Sequence, residues 1–197
     1  LAALLGCHER PGLIPEGERI GEARLVQAAR FILLRQNDDG GFGTYERRRG
    51  SAFLEGINPT EMYGQCMTER SYLECTAASI AALCHLRDHY PMLGDEALRR
   101  DRNSAIERGV RFLRSAQRSD GSFPGFWGIN FTYAHFLVLR GLRAAGVPET
   151  DAALQRATNW LTGIQRDDGG FGEHWRSCLE DRYVEHPRSQ SVMTSWA

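Results

Sequence analysis

One pattern recurs three times along this chain and dictates most of what it can fold into. The segments Phe31 to Phe42, Phe112 to Phe123 and Trp160 to Phe171 superimpose without a gap. In each, an aromatic residue precedes a glutamine by five positions (Gln36, Gln117, Gln165). Asp-Gly follows that glutamine at three and four (Asp39-Gly40, Asp120-Gly121, Asp168-Gly169), and a phenylalanine follows it at six (Phe42, Phe123, Phe171). Self-similarity of this kind marks a supersecondary unit that buries its apolar face only by stacking on its neighbours.

The residues before each copy read as an amphipathic helix. Leu25, Ala28, Ala29, Ile32 and Leu33 recur at helical spacing, as do Ile106, Gly109, Val110 and Leu113, and again Leu154, Ala157 and Leu161. The Asp-Gly dipeptide stops each helix, because glycine takes positive φ at little cost. A loop and a second, more apolar helix follow, over Tyr72 to Leu86, over Phe131 to Ala145, and beginning at Ser189. The expected architecture is all-α, a partial (α/α)6 barrel or toroid without substantial sheet. It forms one domain over residues 1–197, with repeat units near 21–88, 102–145 and 150–197. Each glutamine amide is expected to bond backbone groups left open at helix ends and to stack on the following ring, a structural role. Leu1 to Gly6 reads as the tail of a helix under way and Ser189 to Ala197 as one just begun. The chain is therefore expected to be a piece of a larger barrel.

Charge excludes one class of partner. The net charge is −1, so nothing favours nucleic acid or an anionic surface, and all 24 strongly basic residues are arginine. Arg47-Arg48-Arg49 reads as a solvated loop. The five cysteines form no Cys-x-x-Cys pair, so no zinc ribbon or redox dithiol is signalled, and no metal or cofactor is expected. Unpaired thiols fit a cytoplasmic location. No signal-peptide pattern and no apolar run of roughly 18 residues occurs, so nothing here is expected to span a membrane, whereas lying on a membrane surface needs only an exposed apolar patch.

The repeat, aromatic–x4–Gln–x2–Asp-Gly–x–Phe, resembles the QW motif of the squalene and oxidosqualene cyclases. Asn58 to Gly64 (NPTEMYG), Tyr72 to Ala78 (YLECTAA), Phe126 to Tyr133 (FWGINFTY) and Ser177 to Val184 (SCLEDRYV) are similar, in order, to landmarks of the oxidosqualene cyclases. The resemblance implies a cavity lined by inner helices, in which squalene or 2,3-oxidosqualene is protonated and cyclises through carbocations. Such chemistry needs a strong acid, exclusion of water and π faces toward passing positive charge. The resemblance makes Cys75 the cysteine that hydrogen-bonds the catalytic aspartate, and Trp127 and Tyr133 aromatic residues facing the cations. Tyr45 and Tyr63 fall near the epoxide end and the access channel, and Cys66 in the channel. The full enzyme is expected to be a peripheral, monotopic membrane protein acting on an apolar triterpene.

Departures from the family pattern bear on activity. The Asp-Cys-Thr-Ala-Glu motif that carries the family's acid does not occur in this sequence, so these residues alone are expected to be inactive. Gln65 stands where an aspartate is usual, and Asn130, Ala134 and His135 differ from the sterol-forming pattern. His135, on an inner helix, is expected to be a core histidine. Three other readings compete. A protein prenyltransferase barrel needs a zinc site with cysteine two residues after an aspartate, but Leu73 lies two before Cys75. A diterpene cyclase needs an Asp-x-Asp-Asp motif, which is also missing. A non-catalytic half-barrel would serve as a scaffold, self-associate through exposed helix flanks or be completed by a partner chain.

Overall fold

In a computed structural model, the residues described are 5–7, 9–10, 12–60 and 67–197. Tyr63 and Cys66 lie outside them. Among the described residues the chain is helical and contains no strand, only isolated bridges such as Gln36 with Phe42. The helices are α1 (Glu22–Leu33), α2 (Leu73–His89), α3 (Glu96–Ser115), α4 (Asn130–Ala144), α5 (Ala152–Ile164), α6 (Arg176–Glu180) and α7 (Ser191–Trp196). Short 3-10 turns occupy Glu16–Glu18 and Ala52–Ile57.

Helices α1, α3 and α5 form the outer layer, and α2, α4 and α7 the inner one, as in an α/α toroid. The central helix α2 has buried residues at Ala82, Leu83 and Cys84 in succession, so it has little polar face to offer water. It packs on α4 where glycine permits: a Cβ at Gly141 would come within 3.0 Å of Ala77. It also packs on α3, where a Cβ at Gly109 would stand 2.7 Å from Ile80. Ile80, Leu83, Leu113, Phe123, Val138 and Leu142 share this core and are fully buried.

Outer helices begin on aspartates. Asp95 caps α3 by accepting from Leu98 N at 2.8 Å, and Asp151 caps α5 by accepting from Ala153 N at 2.9 Å. The first of these caps starts α3 at Glu96, ahead of the repeat unit near residue 102 that the sequence pattern suggests. Each cap also pairs with an arginine of the preceding outer helix, Arg30 with Asp95 and Arg114 with Asp151.

The three repeated turns are built alike. Each glutamine donates to the carbonyl four residues on: Gln36 to Gly40 at 2.8 Å, Gln117 to Gly121 at 3.0 Å and Gln165 to Gly169 at 2.8 Å. Gln36 also donates to Ala105 O in α3, and Gln117 to Ala153 O in α5, at 2.9 and 2.8 Å. Those acceptors lie within the next outer helix rather than at an open helix end; a carbonyl's second lone pair makes this possible. Asp39, Asp120 and Asp168 each accept from the backbone N–H two residues on at 2.9 Å, closing the turn. The glycines have φ of +90°, +92° and +80° at Gly40, Gly121 and Gly169. A Cβ at Gly40 would fall 2.6 Å from Arg108 O, and one at Gly121 2.6 Å from Arg156 O. Turn and following helix therefore meet in one register twice.

Candidate functional site

At the N-terminal ends of the inner helices, Cys75 and Tyr133 come together. Cys75 occupies the first turn of α2, half-buried, with its Sγ 3.7 Å from Thr44 Oγ1 on the loop after the first turn. Burial pushes the thiol up to about 11, reinforced by the neighbouring Glu74 and Glu69 and opposed by the Thr44 contact. Cys75 is thus a protonated thiol at neutral pH. The Tyr133 hydroxyl, in the first turn of α4, is likewise shifted upward by burial and by Glu74 and Cys75 beside it. Its ring packs on Gly128, where a Cβ would lie 2.5 Å away, and on Trp196 of α7 at 4.8 Å between centroids.

Trp127 stands on the loop leading into α4. Its ring meets Tyr72 and Phe126 edge-on, at 5.6 and 5.0 Å. The loop is held by a residue for which the sequence reading assigned no role. Glu74, buried, accepts from Phe126 N at 2.5 Å and Trp127 N at 2.9 Å. The Glu-Cys-Thr triplet signals this residue, yet its partners lie about fifty positions away and no spacing rule connects them. A second carboxyl does comparable work at α4. Glu173, fully buried, accepts from Phe131 N, Thr132 N and Thr132 Oγ1 at 2.8–2.9 Å. It supplies the cap that Ile129 cannot.

Tyr45 is near this group through its backbone alone. Its N–H and that of Thr44 bond Glu69, while the residue as a whole is 76% exposed. His135 is a core residue as expected. It is fully buried, stacks on Trp160 at 4.3 Å, and burial lowers it to about 4, so it is neutral at pH 7. A depression of about 590 Å³ opens beside Tyr72 and Glu74, but Asp39, Arg48, Glu55 and Arg70 line it and Cys75, Trp127 and Tyr133 do not. Its charged wall does not suit a hydrocarbon.

This end of the inner helices thus holds a protonated thiol, a phenol and an indole, groups able to donate hydrogen bonds and offer π faces, around the buried carboxyl group of Glu74. Comparison with known proteins identifies the family. Residues 14–197 match the model of the squalene-hopene cyclase C-terminal domain. The chain is 46% identical over 184 residues to a cycloartenol synthase of Dictyostelium discoideum, covering 93% of this chain and 26% of that protein. It is 40% identical over 184 residues to a lanosterol synthase of Mus musculus (91% and 25%). It is 38% identical over 181 residues to a terpene cyclase/mutase of a Nectria species (91% and 24%). The chain spans about a quarter of the length of these curated relatives. With its three glutamine turns, its paired helices and this match over nearly every residue, the chain belongs to the squalene-hopene and oxidosqualene cyclase family.

Proposed function

We propose that this chain supplies part of the cavity wall of a triterpene cyclase, and that the whole protein cyclises 2,3-oxidosqualene by protonation and a carbocation cascade. The observation that carries the proposal is that Cys75 and Tyr133 sit in the first turns of adjacent inner helices, near enough for one to act on the other's titration, with Trp127 on the loop leading into α4. Protonation opens the epoxide, each double bond then donates its π pair to the growing cation, and loss of a proton ends the sequence. The relatives' names are those of alcohols, which favours the epoxide over squalene because epoxide opening leaves a hydroxyl group.

Each residue has a task in this scheme. Cys75, kept protonated by burial, donates to the carboxyl group that delivers the proton; stabilising the ionised form makes that acid stronger. Trp127 and Tyr133 present ring faces to the cation. Glu74 fixes the loop that aims Trp127. The acid itself comes from elsewhere in the protein, since the sequence holds no Asp-Cys-Thr-Ala-Glu, and these 197 residues alone do not turn over substrate. The whole protein works as a peripheral membrane protein of the cytoplasm. No described helix is long and apolar enough to cross a bilayer, and exposed Phe53, Ile57 and Met67 offer an apolar contact.

The test uses the complete gene product with 2,3-oxidosqualene. A hydrogen bond to a charged group contributes about 1.5–3 kcal/mol, so Cys75→Ala is expected to slow turnover by on the order of 10- to 100-fold, with Cys75→Ser recovering part of it. Unchanged turnover in the alanine variant would remove Cys75 from the mechanism.

A further inference from the structure

At the opposite end of α2 from Cys75, three metal-type donors converge. His85 and His89 are four residues apart and so share one helix face. His85 Nε2 lies 2.8 Å from Glu9 Oε1, and His89 Nδ1 lies 3.3 Å from the same oxygen. One donor atom from each of the three residues falls within 4.8 Å of the others. Ligands bonded at about 2.0–2.2 Å around a tetrahedral zinc stand roughly 3.3–3.5 Å apart, so the donors are already gathered near that spacing and a side-chain rotation completes the site.

We propose that Glu9, His85 and His89 bind a divalent transition metal of the zinc class, which clips the segment carrying Glu9 onto the end of the central inner helix. Two imidazole nitrogens and one carboxyl oxygen are donors this class favours, and three protein ligands leave a fourth position for water. The imidazole rings now stack at 4.2 Å and 11°. A metal lies in the plane of each ring it bonds, so one ring turns out of the stack on binding. His89 is free to do so, with its side chain half exposed. The site is about 15 Å along the helix from Cys75, ten residues at 1.5 Å each, so the role is structural and independent of the cyclase chemistry.

The competing occupant is a proton, which would make the trio a plain histidine–glutamate ion pair. Zinc titration of the chelator-stripped complete gene product, followed by calorimetry at pH 7.5, separates the two. Wild type is expected to bind one equivalent more than His89→Ala or Glu9→Gln, or to bind it at least tenfold more tightly. Cobalt is expected to give a visible spectrum in wild type that either substitution abolishes. His186→Ala, which alters the other stacked histidine pair (His174 and His186, 6.0 Å apart), is expected to change neither readout. Matching unfolding midpoints without metal confirm that each variant folds. Absence of zinc binding in stripped wild type, or equal binding in wild type, His89→Ala and Glu9→Gln, would overturn the proposal.

Discussion

Glu173 has no exposed surface, yet three donors at the start of α4 depend on its carboxyl group. Replacing it by alanine buries two backbone N–H groups and a hydroxyl without acceptors, at about 1–3 kcal/mol for each unsatisfied group. Glu173→Ala is therefore expected to destabilise the protein by roughly 3 kcal/mol or more, read as a lower denaturant midpoint. A change within experimental error would deny the carboxyl its role. The residue escaped sequence reasoning because the repeat puts Thr44 and Gly125 at its equivalent positions, so alignment of the copies gives no carboxyl signal. Cys75, by contrast, stands in a recognisable triplet, and its neighbour Glu74 needed the folded loop to reveal what it grips.

His135 makes a pH prediction at the same scale. Burial lowers its folded value to about 4, below the unfolded value near 6.5. Between those values the unfolded chain binds a proton that the folded one refuses, so stability falls as pH drops through that window. The full loss is on the order of 3 kcal/mol and begins below pH 6.5, before most carboxyl groups titrate. His135→Phe, which keeps the ring stacked on Trp160, is expected to flatten the stability profile between pH 6.5 and 5. A profile with the same slope as wild type would contradict it.

At the scale of the element, the glutamine turns act as joints between successive outer helices. The sequence makes the joints legible because the same spacing occurs three times, and helix edges agree with the periodicity to within a few residues except at the start of α3, which begins at Glu96, well ahead of Ile106. It does not reveal the acceptors, which lie on the next outer helix tens of residues away. Burial of the three glutamines falls in order: Gln36 buried, Gln117 half-buried, Gln165 exposed. The first two are covered by a following outer helix that accepts a second bond. Alanine substitution is accordingly expected to cost about 1–3 kcal/mol at Gln36, less at Gln117 and least at Gln165. Equal costs at all three would sink the joint model. The glycines divide in the same way. Gly121→Ala meets both the strain of positive φ and the Arg156 carbonyl, whereas Gly169 has open space around it. Thermal unfolding is expected to show the larger loss at Gly121, with the Gly169 change near 1 kcal/mol.

For the whole molecule, the layered helices put two kinds of surface in different places. Arg48 and Arg70 line the open depression beside Tyr72, whereas the ionisable neighbour shared by Cys75, Tyr133 and Trp127 is the carboxyl group of Glu74. A carboxyl group there suits the proposed hydrocarbon cation, which a guanidinium in the same place would oppose. Exposed Phe53 and Ile57 are the residues that the proposed membrane contact would use. A Phe53→Ser, Ile57→Ser double variant of the complete gene product is expected to lose severalfold in co-sedimentation with phosphatidylcholine vesicles. Undiminished binding would place the membrane contact elsewhere.

Product analysis tests the proposed aromatic wall of Trp127 and Tyr133 most directly. Complete gene product, wild type and with Tyr133→Ala or Trp127→Ala, is incubated with 2,3-oxidosqualene and the products are separated by mass spectrometry. Wild type is expected to yield a polycyclic triterpene alcohol, and each variant a raised share of incompletely cyclised alcohols, because the cation is released where its ring face is gone. Identical product spectra from all three proteins, or no cyclised product from wild type, would contradict it.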